Sequence, residues 1–144
     1  MRLKDCYDKG LLRKRRPDPL KSRRGLELAR ADLARAEKLF ESRFYLESRL
    51  LSYTSMFQAA RGLLFKDGIF ERSHACVVKY LIANYTKKHV LDINYVNWLD
   101  ALRVERHETL YGLEIIHVTK EEAEDSLSKA SRFVEKISEI LTRE

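Results

Sequence analysis

Apolar residues recur every three or four positions over most of the chain after residue 20, which is the period of helices that bury one face. A first stripe runs from Leu26 to Phe40, and charged residues occupy the opposite face. A second stripe runs from Leu46 to Leu64 and is followed by Gly68, a residue that favours a left-handed helix cap. The pattern therefore predicts two long helices in succession.

Three further helices are predicted from their start and stop signals. Ser73 is suited to cap a short third helix, and a fourth helix begins near Ile93 and ends by Gly112. Thr119 and Glu122 form a capping box at the start of the last helix, where acidic residues favour the helix dipole. We therefore predict an all-α fold, an antiparallel bundle of about five helices joined by short loops.

Composition supports a helical fold and shows where the charge lies. Pro17 and Pro19 are the only prolines and glycine is scarce, which argues against a turn-rich β fold. The net charge is +6, but residues 1–24 alone hold ten basic and three acidic residues. The sequence predicts a basic N-terminal arm over residues 1–19 and a helical domain over residues 20–144. The arm either adds salt-dependent affinity for RNA, or is only a solvated tail or a segment docked along the bundle.

Several classes of protein are excluded by the sequence. No apolar run reaches the roughly 18–20 residues of a membrane span, and no signal peptide is evident, so we expect a cytoplasmic protein without membrane contact. Cys6 and Cys76 are too few for a disulfide scaffold or a zinc site, which favours a reducing compartment. The histidines have no metal-ligand spacing, and we expect no metal and no cofactor. High charge with few amide side chains is compatible with a thermophilic source.

The segment from residue 103 to residue 112 carries the candidate chemistry. Arg103, Arg106 and His107 share one helix face, and this face continues the apolar stripe above it. A guanidinium, an imidazole and the phenol of Tyr111 together suit a phosphate group. Arg106 and Tyr111 lie about 140° apart around a regular helix. They therefore meet only if the turn at Gly112 loosens or a partner supplies the second wall.

The same arginine also has a structural interpretation. Arg106 could pair with Glu105, with Glu108 or with an acidic residue of another helix, since charged clusters are often structural. Spacing alone leaves both interpretations open.

Taken in order along the chain, the motifs resemble the HEPN superfamily, and within it the small stand-alone archaeal and bacterial HEPN proteins. The resemblance covers roughly residues 22–142 and rests on the string SYTSMFQAARGLLFKDG that ends at Gly68, on Ser73 with His74, and on Arg106 with Tyr111. It implies an antiparallel helical domain, often a homodimer, with the Arg106 segment turned toward a cleft between subunits. Many members are RNases, commonly encoded beside a minimal nucleotidyltransferase as a toxin–antitoxin pair, and others bind nucleotides or RNA without cleavage.

The candidate site departs from the RNase motif of the family at one position. Arg106 matches the arginine of that motif and His107 the polar residue after it, but Tyr111 stands where the motif has a histidine. A phenol with an ordinary pKa of about 10 is a poor general base at neutral pH. With this departure, the resemblance implies a partner of a nucleotidyltransferase that binds RNA or nucleotide phosphate through Arg103 and Arg106 and has weak or no nuclease activity. In this hypothesis Tyr111 orders the phosphate and His107 lines the site.

Two alternatives stay open. One is a metal-independent endoribonuclease toxin, in which Arg106 polarises the scissile phosphate and His107 performs acid–base chemistry across a dimer. The other is a helical interaction module whose Arg106 cluster only holds the dimer together, because a fold does not determine a function.

Overall fold

Helices form most of the molecule, as the periodicity predicts, and the all-α fold is confirmed. The computed structural model describes residues 1–143, and its elements in chain order are α1 (Leu3–Asp8), β1 (Leu12–Lys14), α2 (Pro19–Glu41), α3 (Tyr45–Asp67), β2 (Ile69–Glu71), α4 (His74–Leu81), α5 (Ile93–Tyr111) and α6 (Lys120–Thr142). A π-helical turn, Ile82–Thr86, continues α4. Within the described residues, every helix is too short or too polar to pass through a lipid bilayer.

The predicted helix ends are confirmed by the backbone. Gly68 closes α3 with φ 78°, a left-handed conformation that glycine adopts without a Cβ clash. The hydroxyl of Ser73 accepts a hydrogen bond of 3.2 Å from the backbone N–H of Cys76 at the start of α4. Thr119 and Glu122 form both hydrogen bonds of a capping box before α6. Local capping chemistry thus fixes where the long helices begin and end.

Helix α3 is the central element of the core. It packs against α2, α4, α5 and α6, and both faces of its middle turns are buried. Its crossing with α2 is close, because a Cβ on Gly25 would lie only 3.0 Å from the backbone oxygen of Gln58 and 3.1 Å from the nitrogen of Gly62. The central position of α3 allows side chains from α4 and α5 to meet on its surface.

The first 14 residues fold against the bundle. Cys6 on α1 is fully buried and forms a disulfide with Cys76 on α4. Strand β1 pairs antiparallel with β2, with Leu12 buried and opposite Glu71. The expectation of a reducing compartment, drawn from the small number of cysteines, does not account for this disulfide, because disulfides are rare in such compartments. The structure has the docked form of the basic segment rather than a solvated tail, while the division of the chain at residue 19 stays a prediction.

Candidate functional site

Two arginines of α5 lie on the side of the helix that faces α3. The guanidinium carbon of Arg106 is 5.9 Å from the centre of the Tyr53 ring on α3. Arg103 lies one turn earlier, and its Nε donates a hydrogen bond of 2.8 Å to Oδ1 of Asp100. Both arginines are partly exposed, so a ligand in solvent can reach them. The structure therefore places the two predicted phosphate ligands on one face.

The neighbouring carboxylate Glu105 is engaged by another arginine. Nη2 of Arg49 donates to Oε1 of Glu105 at 3.2 Å, and Nε of Arg49 donates to Oε2. Arg49 also donates to the backbone oxygen of Glu122, so it ties α3 to α5 and to the start of α6. Among residues 1–143, Arg106 has neither an ion pair nor a hydrogen bond. Its pairing with Glu105 or Glu108, the structural interpretation, is not observed there.

A tyrosine–histidine pair lies beside these arginines. The phenol oxygen of Tyr53 is 2.6 Å from Nδ1 of His74, the first residue of α4. The imidazole of His74 also stacks on the ring of Phe57, with centroids 3.8 Å apart and planes 4° from parallel. The ring of His74 is therefore fixed in position by a hydrogen bond on one atom and by stacking on one face.

Tyr53 and His74 are functional candidates that the sequence analysis did not select. Both belong to the motifs that carry the family resemblance, and Tyr53 and Phe57 are one helical turn apart on α3. The sequence feature that could have pointed to His74 was the cap at Ser73, because it makes His74 the first residue of α4. Spacing along the sequence could not show that the two motifs meet.

The electrostatic environment determines the charge of His74 and Tyr53, and their hydrogen bond determines which ring nitrogen of His74 carries the hydrogen. Burial, followed by the charges of Arg106, Arg103 and Arg61, lowers the pKa of His74 from 6.5 to about 4. Burial raises the pKa of Tyr53 above its ordinary value, although Arg106 and Arg103 oppose the shift. At neutral pH His74 is therefore uncharged and Tyr53 keeps its proton. Tyr53 is only 2% exposed and its hydroxyl has no other hydrogen-bond partner within residues 1–143, so we assign this hydroxyl as the donor to Nδ1, which leaves the hydrogen of His74 on Nε2.

The arrangement can bind an anion. Arg106 supplies a planar set of donors, and His74 supplies a neutral Nε2–H donor at a fixed orientation. A phosphate here would meet an excess of positive charge, since the same arginines depress the pKa of His74. The described residues include no cluster of three histidine, cysteine or acidic side chains suited to a metal ion.

His107 and Tyr111 lie apart from this pair. Both are exposed, Tyr111 by 65%, and their ring centroids are 5.0 Å apart. Helix α5 continues through Tyr111, and Gly112 then takes an extended conformation with φ −73°, so the last turn does not loosen. Within one subunit Tyr111 has no ring or hydrogen-bond contact with Arg106 in the described residues. The catalytic roles considered for His107 and Tyr111 stay predictions that require a second subunit.

An exposed apolar surface surrounds these two rings. It consists of the end of α5 and the loop after it, and we call it the α5-end surface; its large members are Val104, Leu110, Tyr111, Leu113 and Ile115. Leu113 and Ile115 are almost completely exposed. Contiguous exposed apolar side chains mark surfaces that contact other proteins. The α5-end surface is therefore the most suitable face for a protein partner.

Acidification is expected to destabilise the fold through His74. Its folded pKa of about 4 lies below the unfolded value of 6.5, so the unfolded chain binds the proton more readily. The stabilisation is complete above pH 6.5 and is lost as the pH falls toward 4. Allowing for solvent screening of a half-exposed ring, we expect a loss of about 1–2 kcal/mol.

Urea unfolding of the wild type and of His74→Gln, at neutral pH and near the folded pKa, measures this loss. Between the two pH values, the free energy of unfolding should fall by about 1–2 kcal/mol less in His74→Gln than in the wild type, because the variant has no imidazole to protonate at this position. Equal losses in both proteins would contradict the assignment of His74 as a half-buried, neutral imidazole.

Comparison with known proteins shows the family to which this chain belongs. The HEPN domain family matches residues 22–141, from the start of α2 to the end of α6. Two proteins of Methanocaldococcus jannaschii described as putative toxins are similar to this chain. One is 29% identical over 116 residues, covering 81% of this chain and 78% of the relative. The other is 26% identical over 116 residues, covering 81% and 85%. The chain belongs to the HEPN domain family.

Proposed function

We propose that this protein is a toxin-like HEPN protein that binds the phosphate of RNA or of a nucleotide and has weak or no nuclease activity. The observation that carries the proposal is the position of Arg106 and Arg103 beside a neutral His74 whose proton-bearing nitrogen is left for a ligand. The similarity to proteins described as toxins supports the toxin-like role. The Tyr53–His74–Arg106 cluster is named the phosphate cluster below.

The phosphate cluster binds by charge and by hydrogen bonds. The guanidinium of Arg106 is suited to two phosphate oxygens at once, and Nε2–H of His74 donates to a third. Arg103 contributes charge although it is also paired with Asp100. A bound phosphate offsets the arginines that depress the pKa of His74, so binding raises that pKa.

The protonation state of His74 argues against efficient cleavage. With a pKa of about 4, only on the order of one His74 in a thousand is protonated at neutral pH, so it is a poor general acid. Its Nδ1 accepts from Tyr53 and its Nε2 already carries a hydrogen, so it is also a poor general base. A phosphate is therefore held here without an efficient proton donor or acceptor in the same subunit.

An endoribonuclease is the second candidate function, and the α5-end surface favours it. His107 and Tyr111 lie on that surface. The family resemblance implies a homodimer in which the Arg106 segment faces a cleft between subunits, and docking of a second copy on this surface would bring the His107 and Tyr111 of both copies to that cleft. We propose this homodimer as the first partner and, following the family resemblance, a minimal nucleotidyltransferase as the second. The nucleotidyltransferase is tested by co-expression and co-purification.

Incubation of the purified protein with a mixed RNA pool in chelator tests the proposed function. We expect the RNA to stay intact and the melting temperature to rise by about 5–10 °C at a hundredfold excess of ligand over Kd. Loss of RNA that is abolished in Arg106→Ala and in His107→Ala establishes the endoribonuclease instead. If RNA and nucleotides neither shift the melting temperature nor are degraded, the phosphate cluster is structural.

A further inference from the structure

A second concave site adjoins Arg61, one helical turn after Phe57 on α3. It is a groove of about 320 Å³ between α2, α3 and β2, lined chiefly by Lys21, Arg24, Leu28, Arg61, Phe65 and Phe70. Its volume falls in the range of small-ligand sites. We call it the α2–α3 groove, and nothing in the phosphate cluster requires it.

One wall of the groove carries three cations against one acid. Arg61 is held by Glu71, with Nε 2.6 Å from Oε1, and by the side chain of Gln58 at 3.0 Å. The ammonium of Lys21 lies 4.5 Å from the centre of the Phe70 ring. Arg24 is exposed and has no ion pair or hydrogen bond within residues 1–143. The groove therefore has excess positive charge, two of its cations are fixed, and Arg24 is available.

The rest of the groove lining is apolar, and the ammonium of Lys21 lies over the ring of Phe70 and the guanidinium of Arg61 over the ring of Phe65. Phe65 and Phe70 meet edge to face with centroids 5.1 Å apart, and Leu28 beside them is 48% exposed. Gly25 also lines the groove, at the close crossing of α2 with α3. An anion alone does not need an apolar lining, whereas a flat ring joined to a phosphate matches both the cations and the apolar side chains of the groove.

Arg61 connects the groove to the phosphate cluster. Its guanidinium carbon is 6.0 Å from the centre of Phe57, whose other contacts include the stacked His74. The charge of Arg61 also acts on His74, and the charge of Glu71 acts on Tyr53. The two sites are therefore near enough to be occupied by adjacent nucleotides of one strand.

We propose that the α2–α3 groove is a second nucleotide subsite, which takes the base and phosphate next to the phosphate held by Arg106, so that the ligand is single-stranded RNA rather than a free mononucleotide. The inference rests on the proposed phosphate-binding function. The base packs on Leu28 and the edge of Phe70, and Lys21 and Arg24 contact its phosphate. Single strands are suited to such a site because their bases are free to turn outward.

The experiment compares a short fluorescent oligouridylate with uridine monophosphate on the full-length protein. Lys21→Ala and Arg24→Ala are each expected to weaken oligouridylate binding by about tenfold and leave uridine monophosphate binding unchanged. Each should also reduce the slope of log affinity against log salt by about 0.7 for oligouridylate. Arg23→Ala is the matched control, because it removes the same charge from the neighbouring exposed position, which does not line the groove.

The outcomes separate the groove from the phosphate cluster. If Arg106→Ala weakens both ligands while Lys21→Ala and Arg24→Ala behave like Arg23→Ala, the groove is not a subsite although the proposed function stands. If neither ligand binds the wild type, or Arg106→Ala changes neither, the proposed function itself is wrong. If polyglutamate displaces oligouridylate as well as unlabelled RNA does, and Phe70→Leu has no effect, the groove is an acidic-protein surface and the RNA assignment is overturned.

Discussion

Replacing Arg106 with alanine is expected to lower the affinity for oligouridylate by about 10–100-fold at low salt, because a charge-assisted, two-pronged contact with phosphate is lost. Arg106→Lys keeps the charge but not the planar fork, so it should fall between the wild type and Arg106→Ala. Fluorescence anisotropy at several salt concentrations measures the loss. Arg143→Ala is the control, because it removes an equal charge at the far end of α6. That end lies about 34 Å along the helix axis from the start of α6, which is the end that contacts Arg49.

A second measurement on the same variant does not depend on a ligand. Because Arg106 is the first of the charges that lower the pKa of His74, its removal should raise that pKa from about 4 toward 6.5. Histidine side-chain NMR during a pH titration gives the value directly. If the pKa of His74 is unchanged in Arg106→Ala, the two side chains do not share an electrostatic environment. The phosphate cluster would then be refuted even if binding falls.

Removal of the disulfide between Cys6 and Cys76 is expected to lower the free energy of unfolding by about 2–4 kcal/mol. The bond joins residues 70 apart, so it restricts a long loop of the unfolded chain. It also holds α1, a helix of six residues, against α4. For a chain of this size, the melting temperature should fall by roughly 5–15 °C.

Thermal unfolding followed by circular dichroism tests this expectation with and without reductant. The double variant Cys6→Ala with Cys76→Ala should match the reduced wild type and should not respond to reductant. Ser73→Ala serves as a comparison, because it removes the cap of α4 and leaves the cysteines in place. If a thiol reagent detects two free thiols in the folded wild type and reductant does not change its melting temperature, the disulfide between Cys6 and Cys76 does not form.

The long helices were predictable because their signals are local. Helix α6 begins at the predicted capping box, and α3 ends at Gly68 in the predicted left-handed conformation. The N-terminal elements gave no such signal, because a six-residue helix and a three-residue strand are too short to show a period. Strand β1 also pairs with β2, more than 50 residues later, and composition alone suggested a separate arm.

The candidate site was likewise predictable only where its residues lie on a single helix. Arg103 and Arg106 belong to one helix, so their common face followed from spacing. His74 and Tyr53 meet only because α4 packs against α3, a tertiary contact across 21 residues. The meeting of Arg106 with Tyr111 depends on a second subunit, since α5 stays regular to its end.

Because the N-terminal segment is docked against the bundle, its basic residues are expected to affect how fast a polyanion binds. The pairing of β1 with β2 and the start of α2 at Pro19 hold this segment in one place. Its positive charges are therefore stationary, and binding a polyanion does not require the chain to lose further conformational entropy. In the proposed function, a stationary patch of this kind would orient an approaching RNA strand before contact. Its influence belongs to the association rate constant, which falls as ionic strength rises, more than to the lifetime of the complex.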